Sequence, residues 1–100
     1  MKINYYYPYK SDKPEKKYYI ITKSEKKIYF GAAGYSDFTK HKDEARRQRY
    51  VARHEKNESQ FWNDPNTASY WALKYLWSYP SKQEAYKHIE TDLKKRGYIN

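Results

Sequence analysis

Tyrosine stands where most folded chains place aliphatic side chains. Leu, Ile, Val and Phe together number 13 of the 100 residues, while Tyr contributes 14 and Trp 3. So few aliphatics would by themselves point to disorder. The aromatics argue the other way, because each ring brings a large area to bury. Each Tyr also brings a hydroxyl that needs a partner, so these residues suit half-buried sites and interfaces. The chain therefore predicts one small folded domain with a thin core and an aromatic surface.

The formal net charge is +9. Charge of that size favours acidic partners: nucleic acid, a negative protein surface or anionic lipid. The plainer explanation is a Lys-rich protein kept soluble by its surface. There is no cysteine, which excludes a disulfide framework and a thiolate metal site. No uninterrupted apolar run opens the chain, so neither a signal peptide nor a membrane span is expected. A soluble protein made in a reducing compartment is the expectation.

Residues 1–16 carry two prolines and no clear period, and read as an extended arm preceding a single domain over 17–100. Tyr5, Tyr6, Tyr7 and Tyr9 are out of place in a floppy tail, so the arm is expected to pack on its own domain or on a neighbour. "KYYIITKSEKKIYFG" reads as a β-hairpin, with Tyr19 and Ile21 on one face and Tyr18, Ile20 and Thr22 on the other. Gly31 and Gly34 suit positive φ in the connection that follows.

Three helices are then predicted. The first runs from about Lys42 to Lys56, with Asp43 and Glu44 in its first turn. The second starts at "NDPN", capped by Asp64 with Pro65 in the first turn, and is apolar nearly all round from Ala68 to Trp77. Pro80 ends it. The third begins with the capping box "SKQE", Ser81 to Glu84, buries Ala85, Ile89 and Leu93, and stops at Gly97. A hairpin followed by three helices is a small α+β domain.

The first helix holds the densest charge. Lys42, Arg46, Arg49, Arg53 and Lys56 are spaced 4, 3, 4 and 3 and fall within about one quadrant of a helical wheel. They form a line about 21 Å long. A helix built only to be solvated mixes signs at i,i+4, whereas like charges at that spacing cost a few tenths of a kcal/mol per pair. The line is expected to contact an anionic partner, where Arg can grip phosphate or carboxylate in a fork. Five phosphate contacts on a duplex would give a salt slope of about −4.5. The competing expectation is a solvated face neutralised by acids from elsewhere, such as the arm or Glu58. Tyr50, Val51 and His54 occupy the neighbouring face, which can bury.

Other constellations carry less. His41, His54 and His88 are scattered and lack the spacing of a metal site, so neither a metal nor a cofactor is expected. Tyr70, Trp71, Tyr75 and Trp77 have the rings of a base-stacking platform, but at helical spacing they read as core. "YYI" at 18–20 and "YFG" at 29–31, followed by helix arginines, resemble the two-part signature of GIY-YIG nucleases. That resemblance implies Tyr18, Tyr29, Arg46 or Arg47, and Glu84 or Glu90 as a metal-dependent catalytic set. Lys17 departs from it, standing where the first motif begins with glycine.

A longer resemblance covers roughly half the chain. "FGAAGYSDFTKHKDEARRQRYVARHEKNE" and "DPNTASYWALKYLW" resemble a family of small basic proteins of large DNA viruses of protists and algae and of some tailed phages. The pattern is met by Phe30, Gly31, Gly34 to Thr39, His41 to Asp43, Arg46, Arg49, Tyr50, Arg53, His54, Lys56 to Glu58, Thr67, Ala68, Tyr70, Trp71, Leu76 and Trp77. It brings no catalytic residue with it. It implies a viral origin and a place in the virion, with the host cytoplasm or nucleus occupied before assembly. The resulting expectation is a non-enzymatic minor capsid or virion-associated protein that docks its basic helix on an acidic protein surface or on DNA. No membrane and no small-molecule substrate are expected. A sequence-independent nucleic-acid-binding protein is the first alternative, and the nuclease is the second.

Overall fold

The computed structural model describes residues 3–100. It is an α+β domain: an antiparallel sheet formed early in the chain, covered on one face by the helices that follow. Strands β1 (Tyr9–Lys10), β2 (Lys16–Ile21) and β3 (Lys27–Ala32) lie in the order β1-β2-β3. The register pairs Tyr18 with Phe30, and Tyr9 and Tyr29 both with Tyr19. Ile20, Thr22 and Phe30 are buried on the inner face, as the alternation predicts. Tyr9, Tyr19 and Tyr29 form a ladder across the outer face, where the Lys13 and Lys27 ammonium groups sit over rings.

The hairpin turn relies on Thr22, whose hydroxyl accepts from the Lys26 N–H at 3.2 Å while its backbone N–H donates to the Lys26 carbonyl. Glu25 takes a left-handed conformation there.

The expected arm is part of the domain, and this corrects its separation at residue 16. Met1 and Lys2, its first two residues, lie outside the described residues. Tyr9 and Lys10 add the third strand, and Tyr6 is buried in the core. The Tyr6 N–H donates to the Ile21 carbonyl at 2.9 Å, its hydroxyl donates to Asn66 Oδ1 at 2.7 Å, and its ring meets Tyr98 edge-on. Tyr7 stands edge-on to Tyr9 and Tyr86, and half-buried Tyr5 packs against the core. The physical reason is the thin core, which recruits rings from the N-terminal segment.

Helix α1 (Phe38–His41) is a single turn within the predicted connection. Asp37 caps it, accepting from the Thr39 N–H at 3.0 Å, and Lys42 ends it in a left-handed conformation. Asp43 then caps α2 (Glu44–Glu58), accepting from the Ala45 and Arg46 N–H groups. Lys42 therefore lies before α2, not on it, and its predicted wheel position is corrected. Two caps six residues apart in "DFTKHKD", Asp37 and Asp43, split what looked like one helix start.

A short 3₁₀ turn (Ser59–Phe61) follows α2. Helix α3 (Ala68–Trp71) is capped by Thr67, whose hydroxyl accepts from the Tyr70 N–H, and not by Asp64. Asp64 instead accepts from the Asn66 N–H in a local turn, and the buried Pro65 offers its carbonyl to Trp71 Nε1 at 2.9 Å. From Ala72 to Trp77 the helix widens to a π-helix that buries Leu73, Tyr75 and Leu76. The Ser78 hydroxyl closes it by donating to the Leu73 carbonyl at 2.7 Å. Gly31, with φ of 79°, lets this segment approach β3: a Cβ there would lie 2.9 Å from Leu76 Cδ1.

Helix α4 (Lys82–Lys95) follows its predicted pattern. Ser81 caps it, and Ala85, Ile89 and Leu93 are buried. Gly97 closes it with paired bonds, its N–H to the Lys94 carbonyl and the Tyr98 N–H to the Leu93 carbonyl. No helix among the described residues is long and apolar enough to cross a membrane.

Candidate anion-binding face and adjoining cleft

Helix α2 has no buried residue. One edge of it is nevertheless held to the domain by stacked rings. Tyr50 lies between His54 (4.1 Å between ring centres) and Trp77 (4.2 Å, nearly parallel), and Trp77 also meets His41. The expected Tyr50/Val51/His54 seam is therefore the attached edge. Burial, with the Glu58 carboxylate nearby, pushes the Tyr50 hydroxyl up to about 12, so it stays protonated at neutral pH.

The neighbouring face carries the cations. Arg46, Arg49, Arg53 and Lys56 are all exposed. Among the described residues none of them takes part in an ion pair. Two of the three acids of α2, Glu44 and Glu58, are engaged elsewhere. Glu44 receives two bonds from Arg47, at 2.8 and 2.9 Å, and its carboxyl is held below the usual range by that guanidinium. Glu58, a candidate neutraliser of the line, contacts His54 Nδ1 instead. Asp12 in the N-terminal segment bonds Tyr29 at 2.8 Å. Four cations, spanning about 15 Å from Arg46 to Lys56, therefore face solvent with no ion pair among the described residues. Lys42, the fifth expected member, turns its ammonium toward the Thr39 carbonyl at 3.4 Å.

A cleft of about 400 Å³ opens beside the line. Arg46 and Arg53 are shared by the line and the cleft. Its lining also includes Tyr35, Asp37 and Lys17, together with Gly31, Leu76 and Trp77. Tyr35 is 74% exposed and has no ring partner among the described residues. Asp37 is 1% exposed, yet charged: Lys17 Nζ lies 2.7 Å from its Oδ2, and the Thr39 N–H and hydroxyl both donate to Oδ1. Burial pushes the Asp37 carboxyl up, but Lys17, Thr39 and Lys82 together hold it below the usual carboxylate range. This pair anchors the backbone two residues after Tyr35.

The nuclease-like candidates do not converge. Tyr18 lies inside, stacked on Phe30 and edge-on to Tyr75, while Tyr29 is on the outer face bonded to Asp12. Register explains the split: Tyr18 pairs with Phe30, so Tyr29 points the other way. Arg46 reaches the cleft, Arg47 is paired with Glu44, and Glu84 and Glu90 belong to α4. His41, His54 and His88 sit on α1, α2 and α4, and among the described residues no three His, Asp or Glu side chains form a metal-ligand group. Tyr70, Trp71 and Tyr75 are buried core, as read from their spacing, whereas Trp77 faces α2 and the cleft.

Sequence reasoning missed Tyr35, Asp37, Lys17 and Trp77 as cleft residues. A usable signal was present for one of them, since Asp37 two residues before Thr39 has the spacing of a helix cap.

Over residues 9–54 the chain is similar to a family of unknown function (DUF5754). That stretch runs from β1 to the part of α2 that carries Arg46, Arg49 and Arg53. No curated protein and no solved structure matches the chain.

Proposed function

We propose that this protein is a non-enzymatic, virion-associated component that docks through α2 on an acidic partner, with DNA the favoured partner. The observation that carries the reading is the unpaired state of Arg46, Arg49, Arg53 and Lys56 on one exposed face of α2, with Glu44 and Glu58 committed to Arg47 and His54. Leaving four like charges in line lowers helix stability slightly, a cost that an anionic partner offsets on binding. The viral resemblance supports a place in the particle, with the host cytoplasm or nucleus as the location before assembly. The scatter of Tyr18, Tyr29 and the α4 glutamates supports binding over GIY-YIG-type cleavage. DNA incubated with the protein and Mg²⁺ should stay intact.

A second reading keeps the same four cations and replaces DNA with an acidic face of a shell protein. The aromatic cleft joined to the line favours DNA, because an exposed ring beside a track of cations suits the stacking of a base.

Two measurements test the proposal. Mass spectrometry of purified particles should find the protein, and its absence would end the virion assignment. Gel shift should show DNA bound by the protein and free with the variant carrying Arg46→Glu, Arg49→Glu and Arg53→Glu. Unchanged binding by that variant would remove α2 as the docking surface.

A further inference from the structure

The line of cations accounts for phosphate contacts and leaves the cleft unused. We infer that the cleft receives one unpaired base of a nucleic-acid strand whose phosphates run along α2, so that the protein prefers single strands to duplex. This rests on the phosphate-docking reading of α2 and adds the strand state of the ligand.

Three features converge on it. The first is size: about 400 Å³ lies in the range of sites for compact organic ligands and suits a single base with part of its sugar. The second is the chemistry of the walls. Arg46 and Arg53 stand on the rim about 10 Å apart along the helix, able to hold phosphates on either side of an inserted nucleotide. Tyr35 offers a free ring face at the mouth, whereas both faces of Tyr50 are taken by His54 and Trp77. Free aromatic faces beside a cationic track are how proteins hold unpaired strands without reading sequence.

The third is rigidity. The Lys17–Asp37 pair and the Asp37 cap of α1 anchor the backbone two residues from Tyr35, which reduces the loop ordering that binding must supply. A base inside a duplex reaches such a cleft only by leaving its stack, at a cost of a few kcal/mol. An unpaired strand avoids that cost, and this is the source of the preference.

The test uses fluorescence anisotropy of the full chain with three labelled probes of about 15 nucleotides: a thymine single strand, the same backbone without bases, and a duplex. The thymine strand should bind about tenfold or more tighter than either of the others. Tyr35→Ala removes an exposed side chain and leaves the fold intact. It should weaken the thymine strand about tenfold and leave the duplex unchanged. Equal affinity for all three probes would overturn the cleft assignment while leaving phosphate docking on α2 intact. Binding to none of them would overturn both this inference and the choice of DNA as partner, with particle composition then deciding the virion assignment separately.

Discussion

Helices α2 and α4 are nearly equal in length, 15 and 14 residues, and both are rich in charge. They are put to different uses. α4 buries Ala85, Ile89 and Leu93, and its Arg96 and Asp92 pair with each other at 3.0 Å at its C-terminal end. α2 buries nothing fully, is held by the Asp43 cap and the Tyr50–Trp77 stack, and leaves Arg46, Arg49, Arg53 and Lys56 without an ion-pair partner among the described residues. One helix contributes to the core, and the other is a surface attached by an edge. Charge counts alone do not separate them. Burial does, with Ala85, Ile89 and Leu93 of α4 in the core and no residue of α2 buried.

The contrast breaks first at the core. Leu93→Ala should cost about 2–5 kcal/mol in denaturant unfolding, because it opens a cavity under α4. A loss as small as that of a surface change would mean that α4 does not organise the core. Asp37→Asn comes next, at about 3 kcal/mol, since it leaves the Lys17 ammonium without its counter-charge. Its pH signature is directional. The folded-state Asp37 carboxyl titrates below its ordinary value, so its contribution is present above about pH 4 and fades as pH falls through the folded value. The variant should therefore show a shallower loss of stability on acidification. A profile identical to that of the wild type would contradict the ion pair.

Asp43→Ala tests how α2 is held. Loss of the cap should cost about 1 kcal/mol and lower helicity by circular dichroism. The smallest effect belongs to the line itself. Arg49→Ala should leave stability unchanged or raise it by a few tenths of a kcal/mol, because it relieves repulsion from Arg46 and Arg53. A clear loss would mean that Arg49 has a structural partner.

Local signals made α4 legible in full: the Ser81 cap, the Ala85/Ile89/Leu93 period and the Gly97 stop all act within a few residues. The hairpin was legible from alternation for the same reason. The third strand was not, because Tyr9 and Lys10 become a strand only by pairing with Tyr19 and Tyr18, and two residues carry no period. The break at Lys42 was hidden because a lysine, and no glycine, takes the left-handed turn. Thr67 outcompeted Asp64 as cap once Pro65 was drawn into the core to meet Trp71. Four of the five expected contact residues lie on one exposed face of α2, as the wheel predicted. The cleft was illegible because β3, the Tyr35–Asp37 loop, α2 and the π-helix meet only in three dimensions.

The most direct test of α2 as a docking surface is the salt dependence of DNA affinity. Four cations meeting phosphates predict that log K falls against log salt with a slope of about −3 on a single strand, and that Arg49→Ala with Lys56→Ala reduces its size by about half. A flat dependence, or a slope that the double variant leaves unchanged, would contradict the account.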